Sequence, residues 1–329
     1  MKSKVTHFML KLIDLTPTNL ASEKTKFFAA NFQYNPQFVY AKDIKKVELS
    51  KYGKPKLRYI FLAKRILKKY LKEKDFIKQE ENDQAFLTQV EIKNLVEKRL
   101  QTYDLKDEYQ IVFAEDFVSR FAVNNRMKLI KIRLPITINQ NEIVAILNHE
   151  IDTHIIRQLN YEQQPWFRKK KENHFKAYLR TEEGLAAVNE LVTSQHKLAY
   201  KSAINYLAVD LALKKDFVSV FNFIYQIWPD PKRAWTWTFK KKRGITDTNC
   251  GGAFTKDLVY FEGLVQVLNY LKKNDYDPSE LYYGKLDLKD INKAKKLNTQ
   301  KALILPEILT KNPQFYKQAV QKMIKNNLF

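Results

Sequence analysis

The sequence predicts an α+β fold, mainly helical, with a small sheet set beside a helix that carries two histidines. Apolar residues recur at helical spacing along most of the chain, while period-two alternation is confined to a few short runs. With 329 residues, 45% of them hydrophobic, the chain can bury a sizeable core. No repeat or low-complexity linker interrupts it, so one compact domain is expected, with a helical scaffold region over 1–105 preceding the region 106–329.

In the scaffold region, Pro17, Pro36, Gly53 and Pro55 punctuate helical segments, of which Phe61 to Lys72 is amphipathic and basic. Tyr109 to Ala114 and Met127 to Leu134 read as strands. In the second, Ile130, Ile132 and Leu134 alternate with Lys131 and Arg133, which buries one face and leaves the other charged. Asn139 followed three residues on by Glu142 is a capping pattern, and Ile143, Val144, Ile146, Leu147 and Ile151 continue it with helical spacing. Past a polar, aromatic stretch from Gln158 to Tyr178, a second helix is expected from an N-cap at Thr181 towards Tyr200. A third, strongly apolar, runs from Ala203 to Trp228. Trp235-Thr236-Trp237-Thr238-Phe239 alternates with period two and reads as a strand entering the basic turn Lys240 to Gly244. Asn249 to Gly252 reads as a loop, and Thr255 caps a helix through Tyr270. Pro306 opens a short helix, and Phe315 to Asn326 forms the last one.

Lysine and arginine outnumber aspartate and glutamate by 58 to 36, a formal charge of +22, so the long-range field attracts polyanions and acidic peptides. The most apolar run, Phe217 to Trp228, is broken by polar residues and falls short of the roughly 20 residues a membrane-spanning helix needs. No membrane span is expected. After Met1-Lys2-Ser3-Lys4, the apolar piece contains Lys11 and Asp14 and lacks a small-residue cleavage site, which argues against export. The single cysteine, Cys250, excludes an internal disulfide framework and fits a reducing compartment; cytoplasmic placement is expected. Trp235, Trp237 and Phe239 interleaved with bases could stack nucleobases, but core packing of a strand is favoured over a nucleic-acid-binding module.

His149-Glu150-Ile151-Asp152-Thr153-His154 sets a carboxylate beside the first of two histidines. Zinc peptidases need this set: two neutral imidazoles hold the cation, and the glutamate accepts a proton from water. With only five histidines in the chain, composition predicts about 0.01 such motifs by chance. The spacing is five rather than the familiar four. Five residues of regular α-helix turn through about 500°, leaving the rings roughly 140° apart, so a one-residue π-bulge is predicted at Ile151 to Thr153.

Zinc also needs a third protein ligand and an open fourth position. Glu182 and Glu183 stand at the start of the second helix, where the helix dipole favours an ionised carboxylate and Gly184, Ala186 and Ala187 keep one face slim. Glu183 is the chosen ligand, Glu150 the general base, and Glu190, on the same helical face as Glu183, a partner for one histidine. One zinc ion per chain is expected, in a zinc-peptidase-like catalytic region spanning 106–329.

These residues, taken with several others in order, resemble the QEGLA-motif family, which includes microtubule-associated tyrosine carboxypeptidase and bacterial proteins described as flavohemoglobin-expression modulators. The shared motifs are Pro17-Thr18-Asn19, Asn35 to Tyr40, the histidine motif, Gln164-Pro165-Trp166, Glu183-Gly184-Leu185-Ala186 with Asn189-Glu190, Arg243-Gly244, Gly251 to Asp257, Tyr260, and Glu262-Gly263. The resemblance implies a zinc carboxypeptidase-like fold with His149, His154 and Glu183 on the metal and Glu150 as base. It also implies hydrolysis at the C-terminus of peptide or protein tails, as in the tubulin detyrosination of relatives; the positive charge favours acidic ones. Asp152 stands where relatives usually have glycine, and could pair with a base, compete as a ligand or alter the acidity of water; Glu182 replaces the family's glutamine. A carboxypeptidase needs a cation for the substrate's terminal carboxylate. Arg243 is the candidate, with Lys256 and Tyr260 on the next predicted helix and Gly251 and Gly252 allowing close backbone approach. A catalytically silent regulator is the remaining alternative, against which the intact ligands and base argue.

Overall fold

The computed structural model describes residues 12–82, 85–115, 119–297 and 302–328. These are mainly helical. The helices are α1 (Leu20–Ala29), α2 (Lys46–Ser50), α3 (Leu57–Asn82), α4 (Gln89–Gln101), α5 (Gln140–His149), α6 (Ile156–Glu162), α7 (Leu179–Val192), α8 (Tyr200–Ala212), α9 (Phe217–Ile227), α10 (Pro231–Lys242), α11 (Leu258–Lys273), α12 (Ile291–Lys296), α13 (Glu307–Lys311) and α14 (Pro313–Asn327). A π-helical segment, Glu150–Ile155, joins α5 to α6. Strands β1 (Gln110–Ala114), β2 (Phe121–Asn124) and β3 (Leu129–Arg133) form one sheet in the order β1-β3-β2. No helix among the described residues is long and apolar enough to cross a membrane. The chain divides into two compact units, one running up to Lys64 and including Lys201–Leu258, the other comprising Arg65–Tyr200 and the chain from Val259 onwards.

The first unit is built around aromatic rings. Phe27 of α1 lies 5.3 Å from Phe217 and 4.8 Å from Phe221 on α9, and 4.9 Å from Trp235 on α10. Such tilted and edge-on pairs add about 0.5–1.5 kcal/mol each beyond the area they bury. Trp235 to Phe239 are therefore helical, not the strand their alternation suggested. Asp230 caps the helix by accepting from the amides of Lys232 and Arg233, and Pro231 fits its first turn. Trp235 and Phe239, four residues apart, are both buried, while Trp237 packs on Trp228 at 4.5 Å. With Trp235 and Phe239 in the core, the nucleobase-stacking reading loses its platform.

The apolar run from Ala203 to Trp228 is likewise two helices rather than one. Asp216 caps α9 through the Ser219 amide at 2.8 Å. The buried Lys242 ammonium donates to the carbonyls of Ala212 and Lys215, at the break between α8 and α9, and to that of Cys250. Burial pushes that ammonium down to about 8.

In the second unit the sheet and the histidine helix share one core. Ile130 and Ile132 of β3 pack with Ile92, Val96 and Leu100 of α4, Ile143 and Leu147 of α5, and Ile151 and Ile155 of the π segment. β1 runs parallel to β3 and β2 antiparallel to it, with Ile111 and Val123 both opposite Ile130. The predicted capping box at Asn139 and Glu142 is present and starts α5. Thr181 does not cap α7, which begins two residues earlier and ends at Val192; its hydroxyl accepts from the Leu288 amide at 3.0 Å. Nor does Thr255 cap α11: Thr255–Asp257 is a short 3₁₀ turn leading into that helix.

Helices α7 and α11 touch at glycine. A Cβ on Gly184 would stand 2.3 Å from the Gly263 carbonyl carbon, a backbone atom that cannot step aside. Gly184→Ala is expected to cost about 3 kcal/mol through overpacking, seen as a lower denaturation midpoint at unchanged slope.

Candidate metal centre

His149 ends α5, His154 lies in the π segment, and Glu183 sits in the first turns of α7. One ligand atom from each falls within 4.8 Å of the other two. The Nε2 atoms of His149 and His154 are each 3.7 Å from the same Glu183 oxygen, Oε2. A tetrahedral zinc ion with bonds of about 2.0–2.1 Å spaces its donors roughly 3.4 Å apart; both histidine–glutamate separations come within a few tenths of an ångström of that spacing. The other nitrogen of each ring faces a carboxylate: His149 Nδ1 lies 3.2 Å from Glu190 Oε2, and His154 Nδ1 lies 2.9 Å from Glu182 Oε1. Holding Nδ1 in this way turns each Nε2 towards the centre.

The irregular helix brings the rings together. Thr153 donates its hydroxyl to the carbonyl of Asn148 at 2.9 Å, five residues back, and accepts from Asn189 Nδ2 at 2.8 Å. Asn148 in turn donates to the Asn189 carbonyl at 3.2 Å, seaming α5 and the π segment to α7. Asp152 faces α4: its carboxylate pairs with Arg99 and accepts from the Tyr103 hydroxyl at 2.9 Å. Of the three roles open to Asp152, pairing with a base is the one observed. The histidine rings end with centroids 5.0 Å apart, and the backbone irregularity expected at Ile151 to Thr153 is present, extended over Glu150–Ile155.

Behind His154, Glu182 is buried between two cations, Arg157 and Lys285. Lys285 also donates to the His154 carbonyl at 3.2 Å, and Arg157 to the carbonyls of Leu281 and Leu286. Burial opposes ionisation of Glu182, but Lys285 and Arg157, helped by His154, hold its carboxyl well below the usual carboxylate range. A carboxyl shifted down on folding contributes stability that is present above its ordinary value of 4.5 and is lost as pH falls through the folded value. Glu182→Gln is therefore expected to cost about 3–5 kcal/mol at neutral pH, and to lose less of its remaining stability than the parent on acidification below 4.5; thermal melts across pH check both.

Around His149, burial works against protonation, yet the hydrogen bond to Glu190 and the charges of Glu150, Glu190 and Glu183 outweigh it and raise its pKa to about 9. The carboxylates thus make this centre attractive to positive charge. Glu150 itself opens the π segment, directly after the first histidine, and is partly exposed.

The remaining predicted residues divide between the units. Arg243, Lys256, Gly251 and Gly252 belong to the first; Tyr260, on α11, belongs to the second with the histidines. Arg243 is buried and donates from Nε to the Lys240 carbonyl at 3.1 Å. Gly251 and Gly252 line a cavity of about 850 Å³ with Tyr40, Lys42 and Asp247. Gly252 has φ of 152°, and a Cβ on Gly251 would meet the Leu213 carbonyl at 2.5 Å, so both positions require glycine for the chain's own packing. Sequence reasoning missed the ties of Glu182 to Arg157 and Lys285; the departure from glutamine at 182 was their one visible signal.

Fold and donor set together define a mainly helical protein with a candidate two-histidine, one-carboxylate metal centre. Comparison with known proteins gives its family. The profile of the family described as microtubule-associated tyrosine carboxypeptidase matches residues 41–327, and the chain belongs to that family, as its motifs led one to expect. It is 28% identical over 325 residues to "Putative tyrosine carboxypeptidase MATCAP2" of Mus musculus, covering 96% of this chain and 62% of that protein. To microtubule-associated tyrosine carboxypeptidase 1 of Homo sapiens it is 28% identical over 327 residues, covering 96% of this chain and 68% of the relative. The chain thus spans about three fifths of the length of the mouse protein.

Proposed function

We propose that this chain is a zinc-dependent carboxypeptidase that removes the last residue from acidic peptide or protein tails. The observation that carries the reading is the convergence of His149 Nε2, His154 Nε2 and Glu183 Oε2, with the opposite nitrogen of each ring committed to a carboxylate. His149, His154 and Glu183 would hold one ion, which when bound supplies Lewis acidity for a peptide carbonyl and for water. Glu150 accepts the proton of the attacking water as the tetrahedral carbon forms. It then passes that proton to the departing amine nitrogen, so that cleavage of the C–N bond yields a free amino acid and a shortened tail. Glu182 and Glu190 keep the two imidazoles in fixed orientation throughout.

The net charge of +22 draws acidic tails towards the chain. Tyr260, in the same unit as the histidines, is the proposed tail-holding position. Because the relatives are named for tyrosine, a terminal tyrosine is the first residue to test. Metal analysis of the purified chain, followed by mass spectrometry of a C-terminally diverse peptide library with and without chelator, tests the whole reading. Single-residue trimming that chelator abolishes is the expected result. Cleavage indifferent to chelator, or none of any peptide, overturns it.

A further inference from the structure

Lys170 is a cation with no anionic partner among the described residues. Its ammonium lies 3.7 Å from the centre of the Tyr178 ring and 4.3 Å from that of Tyr161. Among the described residues no carboxylate lies within ion-pair distance of it, and no hydrogen-bond acceptor meets its Nζ. Burial pushes the ammonium down to about 7, against the weaker pull of Glu182. Aromatic faces compensate a desolvated ammonium only in part, so an arrangement of this kind has room for an incoming anion.

Its position ties it to the candidate centre. Tyr161 stands on α6, two helical turns past His154, and Tyr178 immediately precedes α7, five residues before Glu183. Lys170 therefore rests on rings carried by the two helical runs that bear metal-site donors, and its charge is felt by Glu182, Arg157 and Lys285, the cluster behind His154. The loop that presents it is fixed at several points. The Tyr161 hydroxyl accepts from the Arg168 amide at 2.9 Å, the Phe175 amide donates to the Lys170 carbonyl at 2.9 Å, and the fully buried Trp166 packs on Phe175 at 5.4 Å.

We propose that the Lys170 ammonium, seated on Tyr161 and Tyr178, binds the terminal α-carboxylate of the peptide substrate and so restricts the enzyme to chain ends. The assignment rests on the carboxypeptidase reading above. It gives the terminal carboxylate to Lys170 rather than Arg243, whose guanidinium is already buried and hydrogen-bonded to its own chain.

The test compares one acidic, tyrosine-terminated peptide as the free acid and as the C-terminal amide. Binding is measured by calorimetry on the full chain carrying Glu150→Gln, supplied with zinc, with Lys170 intact or changed. With Lys170 the acid should bind roughly 10- to 100-fold more tightly than the amide, the span of a charge-assisted hydrogen bond. Lys170→Met keeps the aliphatic stem on the rings, and should bring the acid down to the amide's affinity; Lys170→Arg should retain part of the preference. A merely structural strap would move acid and amide alike. Preference for the acid persisting in Lys170→Met, or absent with Lys170 intact, overturns the assignment. Cleavage by the unaltered chain is read separately. Loss of acid preference in Lys170→Met alongside no cleavage of any peptide sinks the enzyme reading and upholds the carboxylate site.

Discussion

Glu150→Gln is expected to leave the metal bound and remove nearly all turnover. The substitution keeps the size and hydrogen-bonding shape of the side chain and takes away only its capacity to accept a proton. Glu150 is not among the three converging donors, so one zinc ion per chain should remain when zinc is supplied in excess. Some loss of affinity is expected even so, because the Glu150 charge contributes to the field that favours positive charge at His149. General-base catalysis is worth about 10²- to 10⁴-fold, and in the proposed mechanism the proton that Glu150 takes from water is the same one it gives to the leaving amine. Both steps suffer together. The loss should therefore appear in kcat, with KM for a tyrosine-terminated peptide little changed, as for an interaction made only in the transition state. Saturation kinetics with parallel zinc determination decide it: a variant with full zinc and kcat within tenfold of the parent removes Glu150 from the role of base.

How much of this site could be read from the chain depended on how local each signal was. Histidine is scarce here, so His149 and His154 stood out, and the geometry of a regular helix demanded the irregularity that Glu150–Ile155 supplies. The capping box at Asn139 was equally local and equally legible. The partners of Asp152 and Glu182 were not. Arg99 lies 53 residues before Asp152, and Lys285 lies 103 residues after Glu182; neither tie leaves a trace in spacing. β2 has only four residues and shows too little alternation to register. Trp235 to Phe239 failed for another reason, since aromatics at every second position also include a pair four apart. There the decisive signal was the Asp230-Pro231 start just upstream, which outweighs a period read over five residues.

Removing a donor should separate metal binding from everything Glu150 does. His154→Ala and Glu183→Gln each delete one of the three proposed ligands. If a structural zinc site with four ligands is worth about 10–16 kcal/mol, each donor contributes roughly 3–4, or about 10²- to 10³-fold in affinity. Competition with a chelating dye should show that loss, and turnover at limiting zinc should vanish with it. Glu190→Gln should do less, because Glu190 only orients His149 and its side chain is 45% exposed; a loss of about 10-fold is expected for such a supporting hydrogen bond. Glu182→Gln is the harder case, since it also breaks buried ion pairs, and its affinity has to be measured at a temperature where the melt shows it folded. The ordering carries the argument. A centre in which Glu183 merely neutralises two histidines would bind zinc almost as well after Glu183→Gln as after Glu190→Gln. Only a carboxylate that contacts the ion makes the first loss exceed the second by an order of magnitude.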